Sequence, residues 1–160
     1  MDAILIANEC VDSRIRNEEP GILCKLDIQK AFDHMNWIFL FRSMMKMGFG
    51  EKWANWICYC ISTIKFSILF NGSPTGFFSS QRRLRQGDPL SPFLFIIAME
   101  SLNDMMKTAQ SNSWITGFRV DSRAGNNLEI AHLQYANDTL VFCRANRGQI
   151  KFLRVIFILF

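Results

Sequence analysis

The chain has 160 residues, 49% of them hydrophobic and 20% charged, with a formal net charge of +4. That length suffices for one compact unit with a real core, the apolar share excludes a disordered chain, and so modest a charge is not by itself a nucleic-acid signature. Five cysteines without a C-x-x-C pair, and only two histidines, exclude a zinc module and read as reduced thiols; with no secretory leader visible, the expected location is nucleus or cytoplasm rather than outside the cell.

In chain order, Ile4, Val11 and Ile15 recur near helical spacing from Asp2 to Asn17, which predicts an amphipathic helix broken by Glu18-Glu19-Pro20-Gly21. From Gly21 to Ile28, positions 22, 24, 26 and 28 are apolar, so period-two alternation predicts a strand with Lys25 and Asp27 on its other face. Asp33 or Asn36 caps a helix with Trp37, Leu40, Phe41, Met44 and Met45 as its core stripe, ended by Gly48. A further helix from Glu51 carries Trp53, Trp56, Ile57, Cys60 and Ile61 on one face; the shared spacing favours packing over base stacking for the tryptophans. Ile64 to Phe70 alternates as a strand up to the Asn71-Gly72 turn, with a return strand expected around Phe77-Phe78.

Arg82, Arg83 and Arg85 then cluster in a polar loop, either a phosphate contact or a solvated basic turn. Ser91 suits an N-cap and Pro92 a first turn for a helix through about Lys107, with Phe95, Ala98, Met99, Leu102, Met105 and Met106 buried. Strands are expected over 117–121 and 128–135, around a turn at 123–127. The runs Ile130–Tyr135 and Thr139–Cys143, interrupted at Ala136-Asn137-Asp138, read as a β-hairpin with polar residues at its tip. The apolar end, Phe152 to Phe160, is too short to span a membrane and reads as a core helix. Strands interleaved with helices without strict βαβ alternation give an α+β class. Aspartates on two facing strands, Asp27 and Asp138, would supply oxygen ligands to a hard divalent cation.

Three blocks in order, KLDIQKAFDHMNW from Lys25, RQGDPLSPFLF from Arg85 and LQYANDTLVFC from Leu133, resemble the reverse transcriptases of plant non-LTR, LINE-type retrotransposons. The resemblance implies an α+β polymerase palm with partial fingers, an antiparallel sheet carrying the active-site hairpin and packed on helices. It implies that residues 1–160 form a partial domain, with the thumb, an upstream endonuclease and the remaining fingers outside it. It also implies deoxynucleotidyl transfer on an RNA template and DNA primer from deoxynucleoside triphosphates, with two Mg²⁺ ions and no membrane role.

By the same resemblance Asp27 and Asp138 are the metal ligands, and Asn137 stands where the family carries the first of two adjacent aspartates. An amide offers one neutral carbonyl and a competing donor in place of a charged carboxylate, so this copy is expected to bind metal weakly and to be inactive. Phe32 matches the aromatic set beneath the nucleotide sugar, although inward packing at a helix start explains it equally well. Arg85, Gln86 and Gly87 match residues lying against nucleotide and template; Pro89 and Pro92 read as turn and helix-start residues. Tyr135 packs beside the tip and Ala136 approaches the nucleotide sugar, as the resemblance implies. Lys25 contacts phosphate or pairs with a carboxylate, and Gln29 replaces a glutamate frequent among relatives. The competing readings are a non-catalytic nucleic-acid-binding remnant using the arginine segment, or a functionless relic.

Overall fold

The computed structural model describes residues 3–28, 30–79, 83–121, 127–135 and 138–160. The chain divides into two compact units, Met1–Gln29 with Ser101–Phe160, and Lys30–Glu100. The elements in order are α1 (Ala3–Arg16), β1 (Gly21–Asp27), α2 (Trp37–Lys46), α3 (Glu51–Ser62), β2 (Lys65–Phe70), β3 (Ser73–Ser79), α4 (Ser91–Ser111), β4 (Phe118–Asp121), β5 (Asn127–Ile130), β6 (His132–Tyr135), β7 (Asp138–Arg144) and α5 (Arg147–Leu159).

The first unit is built on a three-stranded antiparallel sheet in the order β1-β7-β6. Its register places Leu23, Lys25 and Asp27 on one face with Phe142, Leu140 and Asp138 of β7 and Leu133 and Tyr135 of β6. Helix α1 covers part of that face, its Ala7 and Cys10 joining Phe118 and Phe142 in a core flanked by Leu133 and Leu140. Small side chains let the helix sit close, so the buried positions are Ala7, Cys10, Ser13 and Arg14, and the expected stripe is displaced: Ile4 and Ile15 are exposed. On the opposite face His132 Nε2 lies 2.9 Å from Asn103 Oδ1 of α4.

Arg14 ties α1 to the start of β1. Its guanidinium pairs with Glu19, donates to the Pro20 carbonyl at 3.2 Å and lies 4.8 Å from the Phe118 ring centroid. The expected strand 128–135 divides at Ala131: β5 pairs with β4 in a separate two-stranded sheet, while β6 joins β7. Gly117 is needed at this crossing because a Cβ there would lie 2.3 Å from the Ile130 carbonyl oxygen. Helix α5, capped by the Asn146 side chain on Gly148 N–H, buries Leu153 and Ile156 and leaves Ile158 and Leu159 exposed.

In the second unit Asn36 caps α2, accepting from the Ile38 and Phe39 amides. Gly48, with φ of +84°, closes that helix: Phe49 N–H bonds Met44 O and Gly48 N–H bonds Met45 O, the paired bonds of a left-handed helix stop. Leu40 and Met44 are fully buried, while Met45 of the expected stripe is exposed. In α3 the buried face is Ala54, Ile57 and Ile61; Trp53 and Trp56 sit at its margin, Trp53 stacked on Phe49 and Trp56 beneath Lys52. The β2–β3 hairpin turns at Asn71-Gly72, both with positive φ as a two-residue hairpin turn demands. Its return strand therefore starts at Ser73, earlier than expected. Helix α4 includes Ser91 as a buried helical residue rather than an exposed cap, and runs to Ser111, four residues past the expected end.

Candidate active site

The site begins with alternation in β1, whose residues from Gly21 to Asp27 are in turn more and less exposed, as the apolar positions at 22, 24 and 26 require. Long-range pairing adds what alternation cannot. β7 runs antiparallel to β1 with Asp27 opposite Asp138, Leu26 opposite Thr139 and Lys25 opposite Leu140. Directly opposed residues share a face, with Cβ atoms roughly 4.5–5.5 Å apart, so the two carboxylates emerge side by side. Lys25 confirms the direction: its Nζ lies 3.3 Å from Asp138 Oδ1, reaching diagonally across the strands. Lysine pairing with a carboxylate is therefore the arrangement adopted, of the two expected for it.

On the other side of β7, Tyr135 stands opposite Asp138 and is largely exposed. Ala136 and Asn137 lie outside the described residues, as do Gln29 and Arg82. A groove of about 540 Å³ opens over this end of the sheet, lined by Ile4, Lys25, Leu133, Tyr135, Asp138 and Leu140 among others. Its wall is partly supplied by the exposed N-terminal turn of α1, a role for Ile4 that helical periodicity could not reveal.

The second unit organises the remaining candidates. Leu84 N–H donates to Phe32 O at 2.7 Å, Trp37 Nε1 donates to Arg83 O at 3.0 Å, and Arg83 Nε lies 3.6 Å from Asp33 Oδ1. These bonds fasten the segment entering the second block to the second half of the first, and none of them shows in motif spacing. Phe32 is half-buried with its ring 5.2 Å from that of Phe95, so the inward-packing explanation accounts for its position. Arg85, Gln86 and Gly87 are exposed on a turn closed by Asp88 N–H to Arg85 O. Gly87 has φ of +84° and open space around its Cβ direction, so backbone conformation is what calls for glycine there. The Asp88 carboxylate accepts from Leu90 N–H at 2.8 Å and leads the chain into α4.

The sequence model of the family described as reverse transcriptase (RNA-dependent DNA polymerase) matches residues 6–158. The chain belongs to the reverse transcriptase family. An uncharacterised mitochondrial protein of Arabidopsis thaliana is 45% identical over 95 residues, covering 58% of this chain and 66% of that protein. The Pol polyprotein of a type-1 R2 retrotransposable element from Popillia japonica is 31% identical over 99 residues, covering 61% of this chain and 14% of the polyprotein. In fold, the chain superposes on apo telomerase of Candida tropicalis with a TM-score of 0.61 at 14% identity, over 97% of this chain and 31% of that one.

This reverse transcriptase chain thus has a palm-like α+β fold, and it spans only a part of its longer relatives. As for cations, two carboxylates on directly opposed positions, one of them lining a groove, are a suitable donor set for one hard divalent ion. Among the described residues no group of three or more histidine, cysteine, aspartate or glutamate side chains gathers. Among the same residues, no helix is long and apolar enough to cross a membrane.

Proposed function

We propose that this chain is a palm segment with part of the fingers of a plant non-LTR, LINE-type RNA-directed DNA polymerase, and that this copy is catalytically inactive. The observation that carries the reading is the placement of Asp27 directly opposite Asp138, which itself lines a groove. Asp27 and Asp138 would hold Mg²⁺, which when bound supplies Lewis-acid activation of the primer hydroxyl and charge neutralisation on the triphosphate. Phe32, Arg85, Gln86 and Gly87 would line the path of nucleotide and template, with Tyr135 beside the hairpin tip and Ala136 approaching the sugar. In an intact relative the partners are an RNA template, a DNA primer and deoxynucleoside triphosphates, and the place of action is nucleus or cytoplasm.

Inactivity follows from Asn137, which brings an amide where the hairpin tip of the family brings a second charge. Losing one bridging charge costs on the order of 10² to 10⁴ in rate. The test is single-nucleotide extension of a primed RNA template with Mg²⁺. The chain is expected to give no extension, alone or transplanted as residues 21–144 into an active R2-type polymerase. Extension by the unaltered chain would overturn the claim of inactivity, and, in the transplant carrying Asn137→Asp, extension that survives Asp27→Asn would overturn the metal-ligand assignment.

A further inference from the structure

We propose that Lys25 is a resident counter-ion of the Asp27–Asp138 pair that competes with divalent cations for it. The proposal rests on the reading of those two aspartates as cation ligands and adds a regulator to that site. Like charges directly opposite on neighbouring strands repel, so the opposed carboxylates need a cation to be held together. Lys25 supplies one from within the chain. It lies two residues before Asp27 on the same face, opposite apolar Leu140, and its ammonium reaches Asp138 Oδ1 at 3.3 Å. Leu140, Leu133 and Ile4 line the same groove and offer an apolar bed for a lysine stem.

A hard divalent ion needs that same carboxylate oxygen, and an ammonium left in place would face it as a like charge at short range. Metal binding therefore requires Lys25 to swing away. Its side chain is 61% exposed and that of Asp138 43%, so the move into water is open and the ion pair itself adds little to stability. The charge of the acid pair is thereby halved when metal is absent, and the apparent affinity for Mg²⁺ is lowered.

The experiment is calorimetric titration of the full chain with Mg²⁺, and with Mn²⁺ followed by spin resonance, in the original chain and in Lys25→Met, Lys25→Arg and Lys25→Met/Asp138→Asn. Thermal unfolding of each is measured with and without the ion. Lys25→Met is expected to bind about tenfold more tightly, Lys25→Arg to stay within about twofold of the original, and the double variant to lose binding. Without metal Lys25→Met should unfold at a lower temperature than the original chain, and Mg²⁺ should raise its midpoint more than it raises the original's. Equal or weaker binding by Lys25→Met, with binding still lost on Asp138→Asn, would overturn the competition while leaving the ligand assignment standing. No binding by any of the chains would overturn both.

Discussion

Replacing Arg14 tests how strand β1 is anchored. The guanidinium is buried, with side-chain exposure of 8%, and makes three contacts: Glu19, the Pro20 carbonyl and the face of Phe118. Glu19 is 55% exposed, so that ion pair is screened and contributes at most about 1 kcal/mol. The carbonyl hydrogen bond adds about 1 kcal/mol and the cation–π contact about 1 kcal/mol. Against these stands Arg14 Nε, buried without a hydrogen-bond partner, at a cost of about 1 kcal/mol. Truncation to alanine also removes the stem packing beside Gly21, so Arg14→Ala should lose about 2–3 kcal/mol. Arg14→Met keeps the stem and removes the unpaired nitrogen, and should lose about 1–2 kcal/mol. At this chain length the alanine variant corresponds to a fall of roughly 4–10 °C in the unfolding midpoint. Urea titration followed by circular dichroism reads both. Arg14→Ala within about 0.5 kcal/mol of the original chain, or Arg14→Met as damaging as alanine, would refute the balance drawn here.

Gly117→Ala should destabilise by about 2 kcal/mol or more, because its Cβ meets the backbone carbonyl of Ile130 rather than a side chain that can yield; thermal unfolding reads the loss. Within an R2-type polymerase carrying residues 21–144, Asn137→Asp should raise Mg²⁺-dependent incorporation by about 10² to 10⁴, measured as single-nucleotide extension; an unchanged rate would move the defect away from the hairpin tip. Burial pushes the thiols of Cys10 and Cys143 above the ordinary cysteine range, with Glu9 adding to it for Cys10 and Cys24 for Cys143. The folded state thus holds these protons longer than the unfolded one, so their contribution is full below the ordinary thiol range and is lost as pH rises through the raised folded values. A stability profile rising across that alkaline window would contradict this. Exposed Ile158, Leu159 and Val155 on α5, with Ile68, Leu69, Phe70 and Phe77 on the β2–β3 hairpin, should bind an apolar dye and drive association at high concentration, seen by light scattering.

Local pattern alone determined a good deal of this protein. Alternation in β1 assigned Lys25 and Asp27 to one face, Asn71-Gly72 set a two-residue hairpin, Asn36 and Gly48 bounded α2, and three short blocks identified the family. Each of these is encoded within a few residues, by sterics, capping or the pleat. Register between distant strands is not, because a strand's alternation is satisfied by any even shift of its partner. The sequence set Asp27 and Asp138 on facing strands, but only the tertiary structure fixed the register that puts them directly opposite and brought Lys25 within reach of Asp138. The same limit explains the errors on the helices. A 3.6-residue period marks an apolar face, but which face is covered depends on what packs there; for α1 that was the sheet, which took Ala7 and Cys10 and left Ile4 to line the groove. Likewise the break at Ala131 arose from a change of partner, β4 for β5 and β7 for β6, which a continuous apolar run cannot announce.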